Sequence, residues 1–181
     1  VEYRRPCALF HTALVVRVPE GRFVVENAWP APDTNRAARG VVREGPVVSR
    51  RLAAFRVFRY EVRRWADGVI ADVGEAVGGP RQVSTDPRLA RRLLELVSTV
   101  PAPVWGRDEL ATGEMWNSNS VIAWLLASSG VEVGRIAPPA GGRAPGWRAG
   151  LVVAARDGRL DGSRRTPMGP WQTGPSANGS G

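Results

Sequence analysis

The sequence predicts an α+β domain in which an antiparallel sheet packs against a buried helix. Two apolar, β-branched runs, ALFHTALVVRV at 8–18 and RFVVENAW at 22–29, flank the turn sequence PEGR and read as a hairpin. AFRVFRYEVRRW at 54–65 alternates with a period of two and reads as a further strand. Two later stretches instead carry apolar residues at helical spacing behind cap residues, at 84–97 and 117–130.

The chain of 181 residues suits one domain with a core large enough to need no disulfide or metal staple. Hydrophobic residues at 43% and charged residues at 23% fit an ordinary globular composition. We expect the domain to occupy 1–157 and a polar, Gly/Ser-rich, disordered tail to occupy 158–181. No apolar run approaches the roughly 18–20 residues that span a bilayer. The start, VEYRRPCALF, has no apolar stretch leading to a cleavage site, so no signal peptide is expected. It also lacks Met, which leaves the true start and the compartment open, with the cytoplasm favoured.

The elements follow in order. The segment 30–51 is rich in Pro, Gly, Asn and Arg and reads as a long surface excursion with one short strand near Val47. In 54–65 both faces are mixed. Phe55, Val57, Arg59, Glu61 and Arg63 share one, and Arg56, Phe58, Tyr60, Val62 and Arg64 the other, as in a strand with neither side fully dry. Val69–Val73 is expected to continue the sheet. Ser84-Thr85-Asp86-Pro87 then opens a helix with Leu89, Leu93, Leu96 and Val97 on one stripe. Asn117 to Asn119 cap a second helix, carried by Val121, Ile122, Leu125 and Leu126 and stopped by Gly130. PPAGGRAPGW at 138–147 reads as a rigid loop, and GLVVAAR at 150–156 as a last short strand.

Composition excludes several functions. The single cysteine, Cys7, rules out an internal disulfide framework and reads as a strand or core residue. With one histidine as well, no ligand spacing for a metal appears, and no cofactor is expected. The net charge is +8 and every basic residue is arginine, several in doublets such as Arg50-Arg51. No helix-turn-helix or aromatic-basic pattern marks a nucleic-acid site, so no specific nucleic-acid partner is expected. Trp105, Trp116 and Trp124 read as packing residues, and Asp108, Glu109 and Glu114 as loop charges. Arg143 and Arg148 stand where they can meet an anionic group.

One constellation carries chemistry. His11 lies within the first strand, and Glu26 or Asn27 at the end of its hairpin partner can stand beside the imidazole and orient it. Ser118 heads the 118–129 helix, where free N–H groups and the positive helix end can stabilise an oxyanion. Read locally, Asn117, Ser118 and Asn119 are simply good caps. The histidine strand FHTALVV, the following VVENAW and the polar-headed helix WNSNSVIAWLLASSGV together resemble the circularly permuted NlpC/P60 superfamily of papain-like folds. That group includes lecithin:retinol acyltransferase-like and PPPDE-type proteins. The resemblance covers about 8–130 and places Asn117 and Val121 on the helix motif, with Ser118 where those thiol enzymes carry their cysteine. It implies Ser118 as nucleophile, His11 as base and Glu26 (or Asn27) as the orienting residue. Asn117, Asn119 and Asn27 become candidates for contacts to substrate or oxyanion. The implied activity is hydrolysis or acyl transfer on an amide or ester of a small-molecule, lipid or peptide-like substrate. A serine in the cysteine's place also admits a non-catalytic relative that binds a peptide, glycan or lipid in the former cleft.

Overall fold

The computed structural model describes residues 9–30, 37–70, 73–76 and 78–162. Its sheet has four antiparallel strands: β1 (Leu14–Val18), β2 (Gly21–Ala28), β3 (Val41–Pro46) and β4 (Arg59–Ala66). Their order is β1-β2-β4-β3. β1 and β2 form the expected hairpin, with Leu14 opposite Val25 and Val16 opposite Phe23. β2 pairs with β4 through Val25–Arg64, Glu26–Arg63 and Asn27–Val62. β3 is the short strand expected near Val47, placed slightly earlier, and Val47 itself bridges to Trp105.

The helices are α1 (Pro87–Leu96), α2 (Ser118–Ser129) and α3 (Trp147–Gly162). Asp86 caps α1 by accepting from the Arg88 N–H, with Pro87 in the first turn. Gly130 ends α2 at φ 94°, a left-handed conformation that a side chain would strain. α2 is buried on nearly all sides, from Ser118 to Leu126, as an all-round apolar helix must be. It is the centre of the fold. Val121, Ile122, Leu125 and Leu126 share one core with Leu93, Leu94 and Val97 before it and with Val153 and Ala154 of α3. Val16, Val25, Tyr60 and Val62 present one face of the sheet to the same core. The buried Tyr60 hydroxyl is satisfied by donating to the Pro103 carbonyl at 3.0 Å. Where α3 crosses α2, a Cβ on Gly150 would collide with the Ser120 carbonyl, so glycine there sets how closely the helices approach.

Several expectations are corrected. The run 150–156 is helix, not strand: Ala149, Val153 and Ala154 are buried at helical spacing. Asp157 follows on that side and accepts from Trp124 Nε1 at 2.9 Å. α3 continues through 162, past the expected boundary at 157, and the tail from 163 lies outside the described residues. The first strand begins at Leu14 rather than residue 8, because 9–12 bond elsewhere: Phe10 N–H donates to the Arg143 carbonyl and Thr12 Oγ1 to Asn119. His11 is therefore in the lead-in to β1, not in a strand. β4 starts at Arg59, after two short 3-10 turns at 52–54 and 56–58. The sheet does not continue through Val69–Val73; Val73 begins a 3-10 turn, and 71–72 lie outside the described residues. Cys7 also lies outside them.

Candidate functional site

The head of α2 is organised by amides and hydroxyls. Asn117 Oδ1 accepts from the Asn119 N–H at 3.0 Å and the Ser120 N–H at 3.4 Å. Ser120 Oγ accepts from the Asn117 N–H at 3.1 Å, completing a reciprocal capping box. Ser120 Oγ also donates to the Gly146 carbonyl at 2.7 Å. Gly146, at φ 83°, lies so close that a Cβ would meet Asn117 Oδ1 at 2.5 Å and Ser120 Oγ at 2.7 Å. The loop before α3 is thus locked onto the start of α2.

Asn119 performs the same task for the N-terminal segment. Its Nδ2 donates to the Phe10 and Pro145 carbonyls, each at 2.9 Å, and its Oδ1 accepts from Thr12 Oγ1 at 2.9 Å. The two residues flanking His11 are therefore both tied to the residue after Ser118. His11 itself is exposed. Ser118 occupies the first position of α2 with 6% of its surface accessible. Among the described residues, neither its hydroxyl nor its amide N–H makes a hydrogen bond. The other serine of the motif, Ser120, is fully committed.

The sheet separates the two candidate orienting residues. Asn27 lies opposite Val62 on the helix side, 8% exposed, and among the described residues neither its Oδ1 nor its Nδ2 has a partner. Glu26 points to the other side, where its carboxylate accepts from Arg63 Nη1 at 2.9 Å. Arg63 also holds the fully buried Glu61, through Nη2 at 2.7 Å and Nε at 3.0 Å. Arg39 Nη2 reaches Glu61 at 3.3 Å and Arg56 Nη2 at 3.6 Å. Glu26 thus belongs to an ion-pair cluster on the face remote from α2. Nothing in the alternating pattern of 54–65 indicated that its charged face would be covered.

A groove of about 630 Å³ opens beside the α2 head. Glu114, Met115, Arg143, Pro145 and Gly146 are among its walls. Glu114 Oε2 accepts from the Gly146 N–H at 3.0 Å, fixing the two walls to each other. Asp108 braces the approach to α2 by accepting from the Thr112 N–H at 2.7 Å and the Gly113 N–H at 2.8 Å. Those backbone donors hold its carboxyl below the ordinary range. Glu109 is likewise lowered, first by the Val104 N–H and then by Arg50. Of the three tryptophans expected to pack, Trp116 and Trp124 are buried, and Trp105 lies against Tyr60 at 5.5 Å. Thr12, Pro145 and Gly146 were not singled out by sequence; their only signal was position beside His11 and within the rigid loop.

Among the described residues no group of three or more His, Cys, Asp or Glu side chains could hold a metal ion, and no helix is long and apolar enough to cross a membrane. No family model, no curated protein and no solved structure matches this chain.

Proposed function

We propose that the head of α2 is an acyl-transfer site, acting as a hydrolase or acyltransferase on an amide or ester. The observation that carries this reading is the contrast within one helix head: the side chains of Asn117, Asn119 and Ser120 are spent, while Ser118 keeps its hydroxyl and N–H unspent. Ser118 stands at the first helical position, where its N–H is one of the unpaired donors of the helix start and its hydroxyl is not consumed by the cap. Asn119 supplies the second element by tying Phe10 and Thr12, and with them the His11 segment, to the same helix end.

In this reading Ser118 Oγ attacks the substrate carbonyl carbon and His11 takes its proton. The Ser118 N–H and the positive end of α2 stabilise the tetrahedral oxyanion. The intermediate collapses by expelling an alcohol or amine that takes the proton back from His11. Water or an acceptor alcohol or amine then releases the acyl group from Ser118. The groove beside Met115 and Arg143 holds the remainder of the substrate. Glu26 has no part in this scheme, since Arg63 holds it on the other face. Asn27 is the alternative polar partner on the α2 side. The permuted papain-like assignment remains part of the same proposal, supported by the order of His11 segment, hairpin and polar-headed helix.

A fluorophosphonate probe tests the scheme. Wild type should label; Ser118→Ala should abolish labelling, and His11→Ala should slow it by about a hundredfold or more. Equal labelling of all three proteins would remove the Ser118–His11 mechanism. The commitment of Glu26 to Arg63 favours one second reading, a non-catalytic cleft that binds a peptide, glycan or lipid. A folded wild type that resists the probe would select it.

A further inference from the structure

The loop joining β3 to β4, residues 47–58, reads VVSRRLAAFRVF and contains three arginines and no acidic residue. Its apolar residues do not all turn inward: Phe55 is 64% exposed, Val57 72% and Val48 49%. Such exposure clustered in one loop is not the scattered surface hydrophobe of an ordinary monomer. Nor is the loop loose. Val47 N–H donates to the Phe58 carbonyl at 2.7 Å, Phe55 N–H to Leu52 at 2.9 Å and Phe58 N–H to Phe55 at 3.0 Å. Arg59 Nε closes it by donating to the Ala53 carbonyl at 2.6 Å. Val48 is held at φ 66°, a conformation that a β-branched residue adopts only under constraint. The loop is fixed with apolar side chains outward. At its base Trp105 N–H bonds the Pro46 carbonyl, and Trp29, 57% exposed, packs against Trp105 at 5.8 Å.

We propose that this β3–β4 loop, with Trp29 beside its base, docks the protein on an anionic lipid membrane. Exposed Phe and Val are suited to entering the headgroup boundary, and tryptophan to residing at it. Arg51 is exposed, and Arg50 remains 67% exposed although it reaches Glu109 at 2.8 Å, so both can meet lipid phosphates. Charge selects this occupant over a second copy of the chain. Arg56 reaches Glu61 and Arg50 reaches Glu109, but two such loops would still bring exposed Arg51 against its like, and the whole chain is +8. The valines select it over nucleic acid: Phe55 and Trp29 have faces that can stack a base, but the exposed Val48 and Val57 do not.

Vesicle sedimentation of the full chain tests the proposal, using phosphatidylcholine with and without phosphatidylserine. Binding should require phosphatidylserine and weaken with salt. Arg51→Gln should weaken it about fivefold and Phe55→Ser/Val57→Ser about tenfold or more, each with an unchanged melting temperature. Val69→Ser, which alters a valine 67% exposed elsewhere, should bind as wild type. The proposal is overturned by no binding to either vesicle, or by undiminished binding of the Phe55/Val57 variant. It is equally overturned if the loop variants instead lose only self-association or only binding to single-stranded RNA.

Discussion

On the α2 side of the sheet the buried polar groups are neutral, whereas on the far side they are ionised. Asn117, Asn119 and Ser120 bond chiefly to backbone at 10, 145 and 146, and Thr12 donates to Asn119, so they position chain segments. Glu61, Arg63, Arg39 and Glu26 bond chiefly to each other, so they tie β4 to β2 and to the residues before β3. A neutral network can leave one member unspent at modest cost, and Ser118 is such a member. An ionic network cannot: each buried charge needs its partner. The difference assigns chemistry to one face and structure to the other.

The largest expected effect lies on the ionised face. Glu61→Ala leaves Arg63 and Arg39 buried, 7% exposed each, without their shared carboxylate. Denaturant unfolding should show a loss of about 3–5 kcal/mol. Probe labelling of Ser118, measured where the variant is still folded, should persist. If labelling vanished with the fold intact, the division between the two faces would fail.

Asn119→Ala should cost less stability but disturb the candidate site more. It deletes three hydrogen bonds at a residue only 2% exposed, leaving Thr12 Oγ1 and the Phe10 carbonyl to find other partners, while Pro145 keeps its bond from Asn117 Nδ2. A loss of about 2–3 kcal/mol is expected. Amide exchange at Phe10, whose N–H bonds Arg143, should accelerate, and labelling of Ser118 should fall. Unchanged exchange there would mean that Asn119 does not hold the His11 segment.

What sequence made legible divides along a related line. The hairpin, α1 behind Asp86 and α2 between Asn117 and Gly130 follow from neighbours a few residues apart, through turns, caps and periodicity. Residues 9–12 leave the sheet because their partners, Asn119 and Arg143, lie more than a hundred positions downstream. No local pattern encodes that choice. Residues 150–156 form a short apolar run, equally apt for a buried strand or a helix, and packing on α2 across Gly150 settles it. At the site, Ser118 and Asn119 were readable as a helix head. Arg63 is the direct cross-strand neighbour of Glu26, a placement no local pattern encodes, because pairing of β2 with β4 skips over β3.

The smallest effect sharpens the contrast by using a carboxylate at the surface. Asp108 serves the α2 side from outside, bracing 112–113 with its ionised form. Backbone donors at Thr112 and Gly113 lower its pKa in the folded protein from an ordinary 3.8. The sign follows from proton binding: the unfolded chain takes up this proton more readily, so folding is favoured while the group is ionised. Its contribution is fully present above the ordinary value and is lost as pH falls through the lowered folded value. Asp108→Asn removes the titrating group and weakens the same turn. Melting temperatures of wild type and variant should therefore differ at pH 6 and converge as pH falls below 3.8. A gap constant across that window would show that the charge on Asp108 adds nothing to the turn. The brace would then be neutral in character, like the network it supports.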